Sequence, residues 1–150
     1  MTLDQSSLTT SAGPHTDYGL FTVLHQTSEG LQILSKEDQW LKVPVLEDSF
    51  VINIGYVLNT ELSANYSSDM LSIITNGMYR STAHRVIYAQ DSSVGHRMSI
   101  PYFFDPSFDS VISPLSQIRG ESVEARFSPR QWSIYIREMY EGTYAPGLQS

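Results

Sequence analysis

The sequence predicts an all-β fold with minor α, namely an antiparallel sandwich or jelly roll followed by a helix near the carboxyl terminus. Short runs rich in β-branched and aromatic residues recur at close spacing, with turn residues between them. A single late stretch has apolar residues at helical spacing. The length of 150 residues suits one domain, and an apolar fraction of 41% can supply its core.

The first half of the chain contains a lead-in and four of these runs. Residues 1–12 are rich in Ser and Thr, which predicts a flexible lead-in. Residues 18–26 are β-branched and aromatic and predict a strand, and a Glu-Gly turn separates them from a short strand over 31–34. Residues 40–45 contain a proline, which indicates an edge strand or a strand end. Residues 50–55 are apolar on both faces and predict a buried strand.

Three more runs follow in the second half. The pattern predicts strands over 70–74, 81–89 and 97–104. Asn76-Gly77 is a dipeptide typical of tight turns, so it separates the first two of these strands.

The last part of the chain, residues 107–150, is predicted to be a carboxyl-terminal extension. It is mostly irregular up to Phe127. Ser128-Pro129 is typical of a helix start, which predicts a helix over about 129–141, and Gly142 ends it.

Composition excludes several classes of function. A net charge of −7 argues against a nucleic acid or an anionic membrane as partner, because both need a basic face. The absence of cysteine excludes disulfides, thiolate metal sites and cysteine nucleophiles. No apolar run is long enough to span a membrane, and the amino terminus has no signal-peptide pattern, so a cytoplasmic protein is expected. Composition does not predict the oligomeric state.

Two histidines and one carboxylate are candidates for a metal site. His15 and Asp17 are two residues apart, so in extended backbone both side chains point to one face. His84 lies in a later predicted strand that a sandwich could bring beside them. Two histidines and a carboxylate form the facial triad of non-haem Fe(II) oxygenases. The alternative is a polar surface pair and an unrelated strand histidine, since His-x-Asp often arises by chance.

Arg97 and Ser99 form a second candidate group. They share one face of the predicted strand 97–104, where a guanidinium fork and a hydroxyl could clamp a carboxylate. The alternative is a surface arginine that pairs with one of the many acidic residues.

Five motifs occur in order within residues 13–106: HTDYGL from His15, NIG from Asn53, TNG from Thr75, STAHRV from Ser81 and RMSIPYFF from Arg97. Together they resemble the carboxyl-terminal catalytic domain of the 2-oxoglutarate- and Fe(II)-dependent dioxygenases, in particular the isopenicillin N synthase-like branch.

This resemblance implies a double-stranded β-helix, that is, a cupin-like jelly roll. It also implies Fe(II) bound by His15, Asp17 and His84, with Arg97 and Ser99 binding the distal carboxylate of 2-oxoglutarate. The implied activity uses O2 to hydroxylate or desaturate a small-molecule substrate while 2-oxoglutarate becomes succinate. Some members keep both motifs without using 2-oxoglutarate.

The sequence departs from this family in two places. The chain begins just before the metal motif, where the family has a further amino-terminal region, so a truncated chain is expected. The alternative function is therefore a non-catalytic jelly-roll fragment that at most binds metal. Residues 56–68 interrupt the family pattern after Asn-Ile-Gly and are predicted to be an inserted loop.

Overall fold

The computed structural model describes residues 8–54, 56–57, 70–89, 97–120 and 122–144. Within these ranges, short antiparallel strands dominate and the longest helix comes last, which confirms the predicted all-β class with minor α. The elements are β1 Leu8–His15, β2 Phe21–Gln26, β3 Leu31–Leu34, β4 Trp40–Lys42, β5 Val51–Asn53, β6 Tyr56–Val57, α1 Met70–Ile74, β7 Tyr79–Arg80, β8 His84–Ala89, β9 Ser99–Phe104, β10 Val111–Ile112, α2 Ser116–Arg119, β11 Arg130–Gln131 and α3 Trp132–Tyr144.

Two sheets form the main body. Sheet I has the strand order β1-β8-β3-β4, and sheet II has the order β5-β2-β9. Side chains alternate between the two faces of a strand, so one set from each strand points inward. The inward sets of both sheets enclose a cavity of about 400 Å³, which is lined by residues such as Leu24, Val51 and Phe103 of sheet II and Ile33 and Val86 of sheet I.

The buried apolar core of the described residues lies beside the sheets and packs α1 against α3. Its buried members are Met70, Ile73, Ile112, Trp132 and Tyr135. The backbone N–H of Met70 donates to the carbonyl of Tyr18 at 3.1 Å, which ties this core to the segment between β1 and β2. In the part of the chain that the structure describes, no helix is long and apolar enough to cross a membrane.

Two predicted elements are wrong in type. Composition predicts a flexible lead-in that includes residues 8–12, but these residues belong to β1, because backbone pairing with β8 outweighs their Ser/Thr-rich composition. The apolar run over 70–74 predicts a strand, but it forms helix α1. Four consecutive residues of α1, from Met70 to Ile73, are buried, and a short apolar run of this kind fits a buried strand and a buried helix equally well.

The predicted carboxyl-terminal helix is confirmed, but it starts at Trp132 rather than near Pro129. Arg130 and Gln131 instead pair with Ile112 and Val111 as a small two-stranded sheet. The sequence predicts a mostly irregular extension before Phe127, and the structure adds β10 and helix α2 within it.

The predicted inserted loop over 56–68 lies mainly outside the described residues. Its first two residues, 56 and 57, form β6 and pair with β7 at residues 79 and 80. The loop over 58–68 therefore stays a prediction, as does the domain boundary near residue 106.

The Asn76-Gly77 turn is confirmed, with φ of 56° at Asn76 and 81° at Gly77. The buried Asn76 side chain also fastens the extension to this turn. Its Nδ2 donates to the Glu124 carbonyl at 3.0 Å, and its Oδ1 accepts from the Arg126 N–H at 2.7 Å. Asn76 thus holds residues 124–126 against α1.

We expect Asn76→Ala to lower the free energy of unfolding by about 1–3 kcal/mol, because it removes both hydrogen bonds and strains a positive φ. Asn76→Gly removes the same bonds but relieves the backbone, so it should destabilise less. Urea unfolding of both variants measures the two effects. Unfolding midpoints equal to that of the parent would show that this contact does not hold the extension.

Candidate metal centre

Sheet I brings two of the three predicted ligands together, and the segment after β1 adds the third. His15 ends β1 and His84 begins β8, and the two are cross-strand partners with ring centroids 4.2 Å apart. Asp17 follows β1 by two residues, and its Oδ1 lies 4.0 Å from His15 Nε2 and 3.6 Å from His84 Nε2. One ligand atom from each residue lies within 4.8 Å of the other two.

Backbone carbonyls orient both imidazole rings. His15 Nδ1 lies 2.8 Å from the Gly13 carbonyl oxygen, and His84 Nδ1 lies 3.0 Å from the Thr82 carbonyl oxygen. A carbonyl can only accept, so these contacts favour the tautomer with the proton on Nδ1 and the lone pair on Nε2. Asn53 Nδ2 also lies 3.4 Å from His84 Nδ1, but the Thr82 carbonyl is the nearer partner. Both Nε2 atoms are those that approach Asp17, so the tautomers suit shared metal ligation.

Two neutral donors orient the carboxylate in the same manner. Asp17 Oδ2 accepts from Thr22 Oγ1 at 2.5 Å and from Asn53 Nδ2 at 2.9 Å, which leaves Oδ1 to the histidine side. The Asp17 and His84 side chains are only 10% and 12% exposed, whereas that of His15 is 46% exposed. Two imidazoles and one carboxylate fit a borderline divalent ion such as Fe(II).

The cavity between the sheets has the candidate ligands in its wall. Its other polar lining residues are Thr22, Asn53, Thr82 and Ser99, and most of the rest of the lining is aliphatic or aromatic. A reacting group at the triad would therefore face a largely apolar wall, part of which is open to solvent, since Ile52 and Phe103 are 49% and 52% exposed.

Only one residue of the predicted carboxylate clamp lines this cavity. Ser99 lines the cavity with the triad, whereas Arg97 is not among the described lining residues. Arg97 lies against Gly30, where an added Cβ would approach its Nε to 3.2 Å. Its Nη2 is 3.4 Å from Gln26 Oε1, and its buried Nε has no hydrogen-bond partner within the described ranges.

Burial lowers the pKa of Arg97 from its usual value, because desolvation disfavours the charged form. None of the ion pairs formed among the described residues includes Arg97. A guanidinium with unfilled donors in this position favours an anionic ligand.

The sequence did not assign roles to Thr22, Asn53 or Gln26. Asn53 belongs to a motif quoted above, but its contact with Asp17 depends on the pairing of β2 with β5, where Thr22 is opposite Asn53. The available signal was the presence of three polar residues in otherwise apolar strands. His25, which is not among the predicted ligands, lies with its ring 5.9 Å from that of Phe50, and His96 is outside the described residues.

Asp105, directly after β9, is a further acidic group near the triad. Its Oδ1 occupies the space beside the Gly19 Cα, where any Cβ would collide with it. Burial, and secondly the charge of Asp17, raise the pKa of Asp105.

Comparison with known proteins gives one consistent result. The sequence profile of the 2OG-Fe(II) oxygenase superfamily matches residues 3–106. A probable iron/ascorbate oxidoreductase of Dictyostelium discoideum is 36% identical over 147 residues, which are 97% of this chain and 36% of that protein. A 1-aminocyclopropane-1-carboxylate oxidase of Diospyros kaki is 40% identical over 114 residues, 75% of this chain and 30% of that protein.

Among solved structures, a full-length Neurospora crassa protein in complex with alpha-KG has a TM-score of 0.73 at 29% identity. The match covers 90% of this chain and 38% of that chain, and it confirms the predicted jelly roll. Another structure of the same Neurospora protein contains alpha-KG and thymine. The chain spans about a third of the length of the curated relatives it matches.

We expect Thr22→Val to weaken Mn(II) binding by roughly 10- to 100-fold, because Asp17 loses its shortest orienting hydrogen bond. Anaerobic titration calorimetry measures the change. Thr75→Val is the matched control, since both threonines are 3% exposed and Thr75 donates to the Leu71 carbonyl away from the triad. Equal metal affinity in parent and Thr22→Val would contradict this role.

We expect Asp105→Asn to raise the melting temperature at pH 7 by roughly 1–3 °C and to change it little near pH 4. A raised pKa in the folded state means that stability is present at low pH and is lost as pH rises through that pKa. The ionised side chain is therefore unfavourable at neutral pH. Asp109→Asn, a second exposed Asp in the segment that follows β9, is the control, and an equal gain at both pH values in Asp105→Asn would refute the explanation.

Proposed function

The chain belongs to the 2OG-Fe(II) oxygenase superfamily, and on that premise we propose that it uses Fe(II), 2-oxoglutarate and O2 to hydroxylate or desaturate a small molecule. The observation that carries the proposal is the convergence of His15, Asp17 and His84 on the wall of an apolar cavity that Ser99 also lines.

The three side chains would hold the metal through His15 Nε2, Asp17 Oδ1 and His84 Nε2. These atoms are available because the other polar atom of each side chain, Nδ1 of the histidines and Oδ2 of Asp17, already has a hydrogen-bond partner. When bound, Fe(II) would supply the activation of O2, and a facial set of three protein ligands leaves positions for the co-substrate and for O2. The role of this chain is to keep the three donors oriented at a largely apolar wall.

Arg97 and Ser99 would bind the distal carboxylate of 2-oxoglutarate. The chain has a net charge of −7, and Arg97 is partly buried with no acidic partner among the described residues, so its guanidinium would attract a dianion. In the proposed reaction, 2-oxoglutarate loses CO2 and takes one oxygen atom of O2 to become succinate. The other oxygen atom enters the substrate in hydroxylation or leaves as water in desaturation.

The cavity supports a substrate with an apolar part near the reacting carbon. Aliphatic side chains from both sheets, such as Leu24, Leu31 and Val86, form this wall. Burial of an apolar group there would remove water from the reacting carbon and hold it near the triad.

The test is anaerobic addition of Fe(II) and then 2-oxoglutarate to the protein, followed by visible absorption spectroscopy. We expect a metal-to-ligand charge-transfer band in the parent. His84→Ala should abolish metal binding, whereas Arg97→Ala should weaken 2-oxoglutarate binding by roughly 30-fold or more and leave metal affinity unchanged.

Arg85→Ala is the matched control. Arg85 is a second partly buried arginine and lies in β8, but its guanidinium lies 4.1 Å from the Trp40 ring centroid and its Nε donates to Gln32 Oε1. A folded parent that binds metal without giving the band would contradict the proposal and favour the metal-binding jelly roll without catalysis. Succinate release with candidate substrates would then distinguish turnover from binding.

A further inference from the structure

We propose that Gln26 is a positioning residue for co-substrate binding, whose side-chain amide holds the Arg97 guanidinium in the orientation that receives a carboxylate. This inference rests on the proposed function, because it takes Arg97 as the residue that binds the distal carboxylate of 2-oxoglutarate. It adds a residue on β2 to a site that the sequence placed on β9 alone.

Strand pairing puts Gln26 beside the clamp. Gln26 ends β2 and is the cross-strand partner of Ser99, which begins β9, so their side chains share a face. Thr22 and Leu24 precede Gln26 at alternate positions of β2 and line the cavity. Arg97 is two residues before Ser99 and therefore comes to the same side.

The backbone between Arg97 and Ser99 is fixed to the residue after Gln26. Thr27 N–H donates to the Met98 carbonyl at 3.0 Å, and Met98 N–H donates to Thr27 Oγ1 at 3.0 Å. These two bonds lock the strand ends together. A change at Gln26 would thus alter its side-chain contact while the neighbouring backbone stays in place.

Both hydrogen-bond partners of the Gln26 amide determine which of its ends carries the oxygen and which the nitrogen. Its Nε2 donates to the Pro44 carbonyl at 3.3 Å, and its Oε1 accepts from Arg97 Nη2 at 3.4 Å. A carbonyl can only accept and a guanidinium can only donate, so the reversed amide would lose both bonds. Gln26 is 7% exposed, which means that water does not readily replace either contact.

The contact orients Arg97 without neutralising its positive charge. Gln26 is neutral, and its 3.4 Å contact with Arg97 is longer than a typical N–H···O hydrogen bond, so the cation keeps its attraction for an anion. Gly30 confines the other side of the side chain, where an added Cβ would lie 3.3 Å from Arg97 Cδ. The guanidinium is therefore held between Gln26 and Gly30, with the buried Nε still unpaired within the described ranges.

Two substitutions separate orientation from charge. Gln26→Leu removes the acceptor, and we expect it to lower 2-oxoglutarate affinity by roughly 3- to 10-fold. Gln26→Glu places a carboxylate against Arg97, which would pair with it and repel the incoming dianion. We expect this variant to lower the affinity by roughly 30-fold or more.

The measurement is calorimetric titration of the Mn(II)-loaded full chain with 2-oxoglutarate, together with titration of Mn(II) itself. A merely structural role for Gln26 would disturb both affinities, whereas a positioning role leaves Mn(II) affinity within about twofold of the parent. Titration with 2-oxobutyrate, which has the oxo-acid end but no distal carboxylate, should show the same affinity in the parent and both variants.

Gln32 provides matched controls. It is 8% exposed, and its Oε1 accepts from Arg85 Nε at 2.8 Å, so it is a second buried glutamine that touches an arginine. Gln32→Leu and Gln32→Glu should leave 2-oxoglutarate affinity unchanged.

Unchanged 2-oxoglutarate affinity in Gln26→Glu, alongside a loss in Arg97→Ala, would overturn the role of Gln26 and leave the proposed function standing. An equal loss of 2-oxobutyrate affinity would also overturn it, because the effect would not depend on the distal carboxylate. If the Mn(II)-loaded parent does not bind 2-oxoglutarate, the proposed function itself fails, and the role of Gln26 fails with it.

Discussion

The antiparallel pairing of β1 with β8 is the contact on which the candidate metal centre depends. It sets His15 opposite His84, with register shifts between Thr10 and Ala12 and between Ala12 and His15 that adjust the end of β1. A slip by one residue would turn one imidazole to the opposite face and separate the two. Sheet formation at the first described strand therefore determines whether the triad exists.

Strand pairing brings the ligand residues together, and hydrogen bonds to their non-ligating atoms orient the side chains. Carbonyls of Gly13 and Thr82 set the imidazole tautomers, and Thr22 with Asn53 turns Asp17. All of these partners are neutral, so the carboxylate charge remains for a divalent ion. The site is thus oriented before any ligand arrives, which reduces the entropy that binding must overcome. Arg97 supplies the opposite charge beside the same cavity.

Sequence alone predicted the triad because His15 and Asp17 are close in the chain and His84 lies in a motif of recognisable composition. It also predicted β2 and β9, where β-branched and aromatic residues are dense. The helix over 70–74 was missed, since a short buried apolar run has no distinguishing period. Strand β1 was missed because its Ser/Thr-rich residues gain their structure from β8 rather than from local propensity.

The roles of Thr22, Asn53 and Gln26 could not be predicted for a different reason. Each role is a contact across strands, and its assignment needs the register of β2 against β5 and β9. Composition marks these residues only as polar side chains in apolar strands. Three-dimensional pairing converts them into orienting groups for Asp17 and Arg97.

The most direct test of the metal centre is a crystal structure of the protein grown anaerobically with Mn(II), with the ion located by its anomalous scattering. We expect one ion bound to His15 Nε2, Asp17 Oδ1 and His84 Nε2, while Thr22 and Asn53 still donate to Asp17 Oδ2. An ion bound through either Nδ1, or one that misses any of the three residues, would contradict this assignment.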